Sequence, residues 1–184
     1  MSRVKILFIC ILFPLMILGQ SMPEYERSDT RKGIGISTDV AVVALPVATL
    51  AGVLIERDWE GLRQGALTAA ATAGATLILK YSVRETRPDH SDRRSFPSGH
   101  TSVAFATATY LQRRYGWRFG VPAYAVATYI GWGRIYSKKH YWWDVLAGAA
   151  IGAGSALVFT TPFAKDHNLA ITACPGGVAF SCDF

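Results

Sequence analysis

Three short clusters in this 184-residue chain collect residue types that handle anions. The first runs from Lys80 to Arg87, with Pro88 directly behind. A helix ending here would end in cations, because proline cannot continue it. The second is Pro97, Ser98, Gly99 and His100. Proline and serine suit a helix start, and Gly99 leaves backbone N–H groups open to an approaching anion. The third runs from Arg134 through His140 to Asp144. His140 and Asp144 are four residues apart, so one helical turn brings imidazole and carboxylate together. Alone, each cluster has a plain structural reading. Cations stabilise a helix C-terminus, proline and serine cap a helix, and a lone His/Asp pair is more often structural than catalytic.

The elements that must carry these clusters are helices. Uncharged stretches cover residues 40–55, 64–79, 101–112, 119–133 and 145–164. Their Ala, Leu, Val and Ile content, without strict alternation, reads as buried or membrane helices rather than strands. The expected fold is all-α: a helical bundle, polytopic in a membrane, with five core spans plus an N-terminal signal or anchor. A 16-residue run covers only ~24 Å as a helix, so all but the last stretch need flanking polar residues inside the span. Gly148 and Gly152 form a GxxxG pair that allows close helix contact. The connectors sort into two sets. Residues 113–118 carry Arg113, Arg114 and Arg118 and suit a cytoplasmic side, as does the other short connector, 56–63. Residues 81–97 and 136–140 hold the chemical clusters, with Trp142 and Trp143 following as interface anchors. If the helices alternate, all three clusters meet on one face.

Composition narrows the function classes. Hydrophobic residues make up 51% and charged residues 17%, against roughly 25% charged in an ordinary soluble domain. The net charge of +6 fits a membrane surface or an anionic substrate. It carries no Gly-aromatic RNA-binding signature, zinc-finger spacing or basic region with heptads, so no nucleic-acid partner is expected. Residues 1–21 read as a signal peptide or signal anchor: Arg3 and Lys5 precede an uncharged run, and Gly19 and Ser21 are small. Residues 22–37 read as a polar connector, 38–164 as the helical core and 165–184 as a tail in which a short strand or hairpin fits. Cys10 lies in the leader, leaving Cys174 and Cys182, which make neither a disulfide scaffold nor a zinc site. With the tail on a cytoplasmic side these two cysteines stay reduced.

Taken in order, Lys-x6-Arg-Pro, Pro-Ser-Gly-His and Arg-x5-His-x3-Asp resemble the signature of the type 2 phosphatidic acid phosphatase superfamily. That group includes bacterial class A acid phosphatases and vanadium haloperoxidases. The resemblance covers roughly residues 40–164 and implies a metal-independent phosphatase without a cofactor. It assigns His140 as the nucleophile that forms a phosphohistidine, with Asp144 fixing its tautomer. His100 becomes the general acid and then the base that activates water. Lys80, Arg87, Arg134, Ser98 and the Gly99 backbone N–H become the holders of the phosphate oxygens. One position departs: the family usually has serine where this chain has Gly133, which removes a hydroxyl and keeps the backbone N–H.

The implied substrate is a lipid phosphate or diphosphate: undecaprenyl diphosphate, phosphatidylglycerol phosphate, phosphatidic acid or a lipid A phosphate. The implied place is a bacterial inner membrane, with the site facing the periplasm or exterior. A secreted soluble acid phosphatase of the same superfamily and a non-catalytic anion- or lipid-binding membrane protein are the competing readings. Oligomeric state is not encoded in these motifs. His90 reads as a solvated or substrate-facing loop residue, His167 as a tail residue, and Lys138 and Lys139 as a solvated pair or, alternatively, a contact for an anionic headgroup. Arg84, Arg93 and Arg94 are candidates for contact with a second phosphate. Asp39 reads as a helix-start residue.

Overall fold

The computed structural model describes residues 24–163 and two short strands, 169–174 and 177–182. The leader, with Cys10, and His167 lie outside the described residues. Among the described residues five helices follow in chain order: α1 (Glu24–Ile55), α2 (Trp59–Ser82), α3 (Gly99–Tyr115), α4 (Trp117–Tyr136) and α5 (Trp142–Phe159). A hairpin of β1 (Leu169–Cys174) and β2 (Gly177–Cys182) ends the chain, so the all-α expectation holds for the core and the hairpin expectation for the tail. Its antiparallel register sets Cys174 opposite Gly177 and Cys182 opposite Leu169, at opposite ends of the hairpin.

Two helix boundaries have a clear local cause. The side chain of Asp58 caps α2 by accepting the Gly61 N–H at 2.8 Å. Gly116 closes α3 at φ +87°, a left-handed conformation that glycine adopts without a Cβ clash. α4 starts at the next residue. One boundary differs from the sequence reading. Residues 24–37 are not a connector but the opening turns of α1, which runs unbroken for 32 residues. Its polar side chains are accommodated locally. Lys32 pairs with Asp29 one turn away, and Ser37 and Thr38 donate to the carbonyls of Ile34 and Gly35.

The bundle is built inside out for water. On α2 the buried stripe is Gln64, Thr68, Thr72 and Thr76, spaced four apart, while Leu67, Leu77 and Ile78 face outward. Val40, Val43, Val47 and Leu50 of α1 and Leu146, Leu157 and Val158 of α5 are likewise exposed. The interior is made of small residues, with Ala104 and Ala108 of α3 packed against Ala123, Ala127 and Ile130 of α4. Among the described residues two helices carry stretches long and apolar enough to cross a membrane: Ser28–Ile55 in α1 and Trp142–Phe159 in α5. The other three fall short because α2 and α4 are rich in Ala, Gly and polar residues and α3 has only 17 residues.

Small residues also set the spacing of α3 and α5. A Cβ on Gly148 would stand 2.5 Å from the Ser98 carbonyl oxygen, and one on Gly152 would run into the Ser102 carbonyl. The GxxxG pair is therefore the contact surface, and the backbones pack against each other. At the opposite end from the clusters, Asp58 and Arg114 form a buried two-bond pair at 2.5 and 2.7 Å. Tyr115 donates to the same carboxylate at 2.8 Å, and Arg114 reaches the Thr161 and Pro162 carbonyls at 3.2 Å. This clasp ties the start of α2, the end of α3 and the chain leaving α5.

Burial alone would push the Asp58 carboxyl up. The bonds from Arg114, Gly61 and Tyr115 outweigh it and hold the group below its ordinary range. The stabilisation is therefore complete above the ordinary carboxylate range and is lost only as pH falls through the lowered value. Asp58→Ala leaves Arg114 buried without a counter-ion, which is expected to cost about 3–5 kcal/mol. Thermal unfolding in detergent should show a clear drop in midpoint, and Asp58→Leu combined with Arg114→Met should recover much of it. An unchanged midpoint in Asp58→Ala would mean the clasp does not hold this end together.

Candidate active site

The end of α2, the start of α3, the end of α4 and the start of α5 come together at one end of the bundle, as alternation of the helices requires. Two backbone features hold them there. The Ser98 N–H donates to the Asp144 carbonyl at 3.0 Å, joining the second cluster to the third. The turn after α4 is closed by the His140 and Lys139 N–H groups, which both donate to the Arg134 carbonyl. His140 is thereby folded back beside the end of its own helix.

His140 is almost fully buried, and Asp144 is fully buried behind it. Asp144 serves two structures at once. Its Oδ2 accepts the Tyr141 N–H at 2.9 Å, which caps α5, and the Ser95 hydroxyl at 2.5 Å. The same oxygen lies 3.4 Å from Nδ1 of His140, long for a hydrogen bond. His140 Nδ1 and Asp144 Oδ1 are both buried and otherwise without a partner. Catalytic hydrogen bonds that are long without substrate commonly tighten when it binds. With Nδ1 turned to Asp144, Nε2 is the nitrogen left for an electrophile. Burial lowers the His140 pKa against the pull of Asp144, and the positive charges of Arg87, Lys80 and Arg134 lower it further. The ring is thus neutral, the form that can donate a lone pair.

The cations surround this ring but are partly engaged. Lys80 Nζ donates to the Arg94 carbonyl at 2.9 Å. Arg87 Nε donates to Asp92 at 2.9 Å, leaving the terminal nitrogens of its fork for an anion. Arg134 is buried, donates NH1 to Asp39 at 2.6 Å, and has a buried Nε with no partner. His100, one-third exposed, meets Asp39 through Nε2 at 2.8 Å. Gly99 opens α3 beside Ser98. Ser98 is fully buried, with its hydroxyl against Thr101 at 3.0 Å, so its side chain faces the helix turn.

Two residues of this neighbourhood, Ser95 and Glu85, were not singled out from sequence, and two others, Asp39 and Lys139, take roles different from those read there. Asp39 is not a helix-start residue; it stands mid-way along α1 and touches two cluster residues from a different helix. Ser95 supports Asp144, and Glu85 accepts the Trp143 indole N–H at 2.9 Å. Lys139, partly exposed, is paired with Asp89 at 2.7 Å, bracing the loop that holds Arg87 against the turn that holds His140. Only the family's spacing marked the other positions; these four follow no fixed offset. Of the arginines proposed for a second phosphate, Arg94 lies over the Tyr81 ring, 5.2 Å from its centre.

Residues 62–167 match the PAP2 superfamily. The chain belongs to that superfamily. It is 43% identical over 90 residues to a lipid A 1-phosphatase of Porphyromonas gingivalis, covering 47% of this chain but only a fifth of that protein. It is 29% identical over 174 residues to a lipid A 4′-phosphatase of Helicobacter pylori, covering 89% of this chain and 85% of the relative. Among solved structures it resembles Aquifex aeolicus LpxE, with a TM-score of 0.63 at 22% identity over 80% of this chain and 92% of that one. A transmembrane PAP2-type phosphatidylglycerolphosphate phosphatase from Bacillus subtilis gives a TM-score of 0.57, also at 22% identity, over 86% and 85%. The two structures share the fold of this chain.

A buried neutral imidazole at His140 sets the expected pH behaviour. Because the His140 pKa is lowered, the acid limb of kcat/KM should fall below pH ~6.5, the ordinary imidazole value. Activity is lost only as pH drops through the lowered value. Asp144→Asn should reduce kcat by about three to four orders of magnitude, as when a carboxylate is removed from other His–Asp pairs. An acid limb above the ordinary imidazole range would contradict a buried, neutral His140.

Proposed function

We propose that this chain is an integral membrane phosphatase that removes phosphate from a lipid A-type lipid phosphate through a phosphohistidine on His140. The observation that carries the reading is the convergence, at one end of an apolar-faced bundle, of a buried neutral imidazole, its carboxylate, a second imidazole and three cations. Such a set matches the needs of phosphoryl transfer, which are positioning and stabilisation of spreading negative charge.

Nε2 of His140 attacks phosphorus, forming an N–P bond as the P–O bond to the lipid breaks. His100, protonated, gives its proton to the departing lipid oxygen. Water then attacks the phosphohistidine while His100 takes the water's proton, and the N–P bond breaks to release inorganic phosphate. Lys80, Arg87 and Arg134, with the Gly99 N–H, hold the equatorial oxygens in both steps. They supply the charge that a metal ion would supply elsewhere, so the reaction is read as metal-independent, without a cofactor. Ser98 contributes by fixing the start of α3.

The lipid class is supported by the relative matched along most of both chains, a lipid A 4′-phosphatase. The outward Val, Leu and Ile side chains support membrane residence over a secreted soluble form. In this reading all five helices cross the membrane, with the clusters at one surface and Arg113, Arg114 and Arg118 at the other, which favours a periplasmic or exterior site.

The test is phosphate release from a panel in detergent micelles: lipid A, undecaprenyl diphosphate, phosphatidylglycerol phosphate and phosphatidic acid. Lipid A should turn over fastest, chelator should leave the rate intact, and vanadate should inhibit. His140→Ala should lose at least about a thousandfold in kcat. An active His140→Ala enzyme would sink the mechanism, and preference for a glycerophospholipid would replace the substrate assignment.

A further inference from the structure

After Lys32, α1 carries a single charged residue before its end, and that residue is Asp39. A lone carboxylate on an otherwise apolar helix is costly unless partners claim it. Here two do. Its Oδ1 accepts from Nε2 of His100 at 2.8 Å and from NH1 of Arg134 at 2.6 Å. We propose that Asp39 is a positioning residue that holds Nε2 of His100 and one arm of Arg134, so that the catalytic proton is exchanged through Nδ1 of His100. This inference rests on the reading of His100 as general acid and base.

The packing around Asp39 explains how α1 comes to supply it. Thr38, the preceding residue, is fully buried against Gly133 of α4. A Cβ on Gly133 would lie 2.5 Å from Thr38 Cγ2 and 3.1 Å from Ile34 Cγ2. The serine usual in the family would therefore collide with α1. The glycine that removes a hydroxyl from the site is what lets α1 seat directly beside Arg134. Two further contacts fix that seating, Ser37 with the Tyr129 hydroxyl at 2.7 Å and Ser137 with the Arg31 carbonyl at 3.2 Å.

The proton logic follows from an imidazole having two nitrogens. A carboxylate on Nε2 keeps a proton there in both charge states, so Nδ1 alone gains and loses one. Protonated His100 donates from Nδ1 to the lipid oxygen as the P–O bond breaks, and the neutral ring keeps Nε2–H on Asp39. Nδ1 then carries the lone pair that accepts the proton of the attacking water, which restores the starting state. The charged and titratable groups bearing on His100 are Asp39 from α1, Arg134 from α4 and the neutral His140 from the turn after α4. Asp39 is the one that stabilises the imidazolium. It also offsets part of the Arg134 charge while leaving the buried, unpartnered Nε of that arginine for phosphate.

Asp39→Asn and Gly133→Ser test this in the full chain, with kcat, KM and pH profiles for lipid A and for an aryl phosphate with a good leaving group. Both variants should lose about 10- to 100-fold in kcat on lipid A, the range of a general acid's contribution, and only a few-fold on the aryl ester. The alkaline limb of kcat/KM, which reports deprotonation of His100, should move to lower pH. Gly133→Ser does so by displacing Thr38 without altering the carboxylate itself. Equal losses on both substrates with an unmoved alkaline limb would reduce Asp39 to a structural role and overturn the proposal. Faster turnover with tighter vanadate inhibition in Asp39→Asn would overturn it too, by showing that the carboxylate obstructs the anion site. His140→Ala run alongside separates the cases. If it stays active, the phosphohistidine reading fails; if it is dead while both other variants match the parent, only this inference fails.

Discussion

The close approach of α3 and α5 is the constraint on which the site depends. Gly148 and Gly152 bring α5 against the α3 backbone, and that contact carries Asp144 to the Ser98 N–H. Without it the second and third clusters would sit at the ends of separate helices. With it, His140 is held over its carboxylate and His100 faces the same space. A methyl group at either glycine would meet a carbonyl rather than a flexible side chain, so the contact has little room to adapt. The rest of the bundle follows the same economy of volume, with alanine, threonine and glycine inside and the large aliphatic side chains turned outward.

Charge is balanced around the site rather than concentrated in it. Asp92 holds one nitrogen of Arg87, Asp39 holds one of Arg134, and Asp89 holds Lys139. Each acid orients a cation that would otherwise sweep through many rotamers, and ordering these groups before an anion arrives lowers the entropy lost on binding. The acids also reduce repulsion among cations at one end of the molecule. At the opposite end from the clusters the Asp58–Arg114 clasp closes the bundle. One end is thus locked, and the other is ordered but left with free donors.

The helices and the clusters were legible in the sequence for physical reasons. Uncharged runs of helical length, separated by charged connectors, leave few ways to fold. Spacing across one helical turn predicts the meeting of His140 and Asp144. What sequence did not reveal is contact between distant helices. Asp39 and Arg134 are 95 residues apart, and Asp58 and Arg114 are 56 apart, with no periodicity linking them. The start of α1 misled because charged residues at 24–32 resemble a connector, although i,i+3 pairing and back-bonding hydroxyls suit a helix equally well. Gly133 was legible as a departure but not as a cause. Only the position of Thr38 explains why a side chain cannot stand there.

The most direct measurement is rapid quenching of the purified full chain with a substrate labelled on its phosphorus, followed by mass spectrometric mapping of the labelled peptide. The account predicts a phosphorylated His140, labile to acid and stable to base, formed within the first turnover and lost as phosphate is released. It should accumulate further when water attack is slowed by removing the His100 imidazole, provided a good leaving group is used. Label on any other side chain, or steady turnover with no phosphoenzyme even when His100 is replaced, would contradict it.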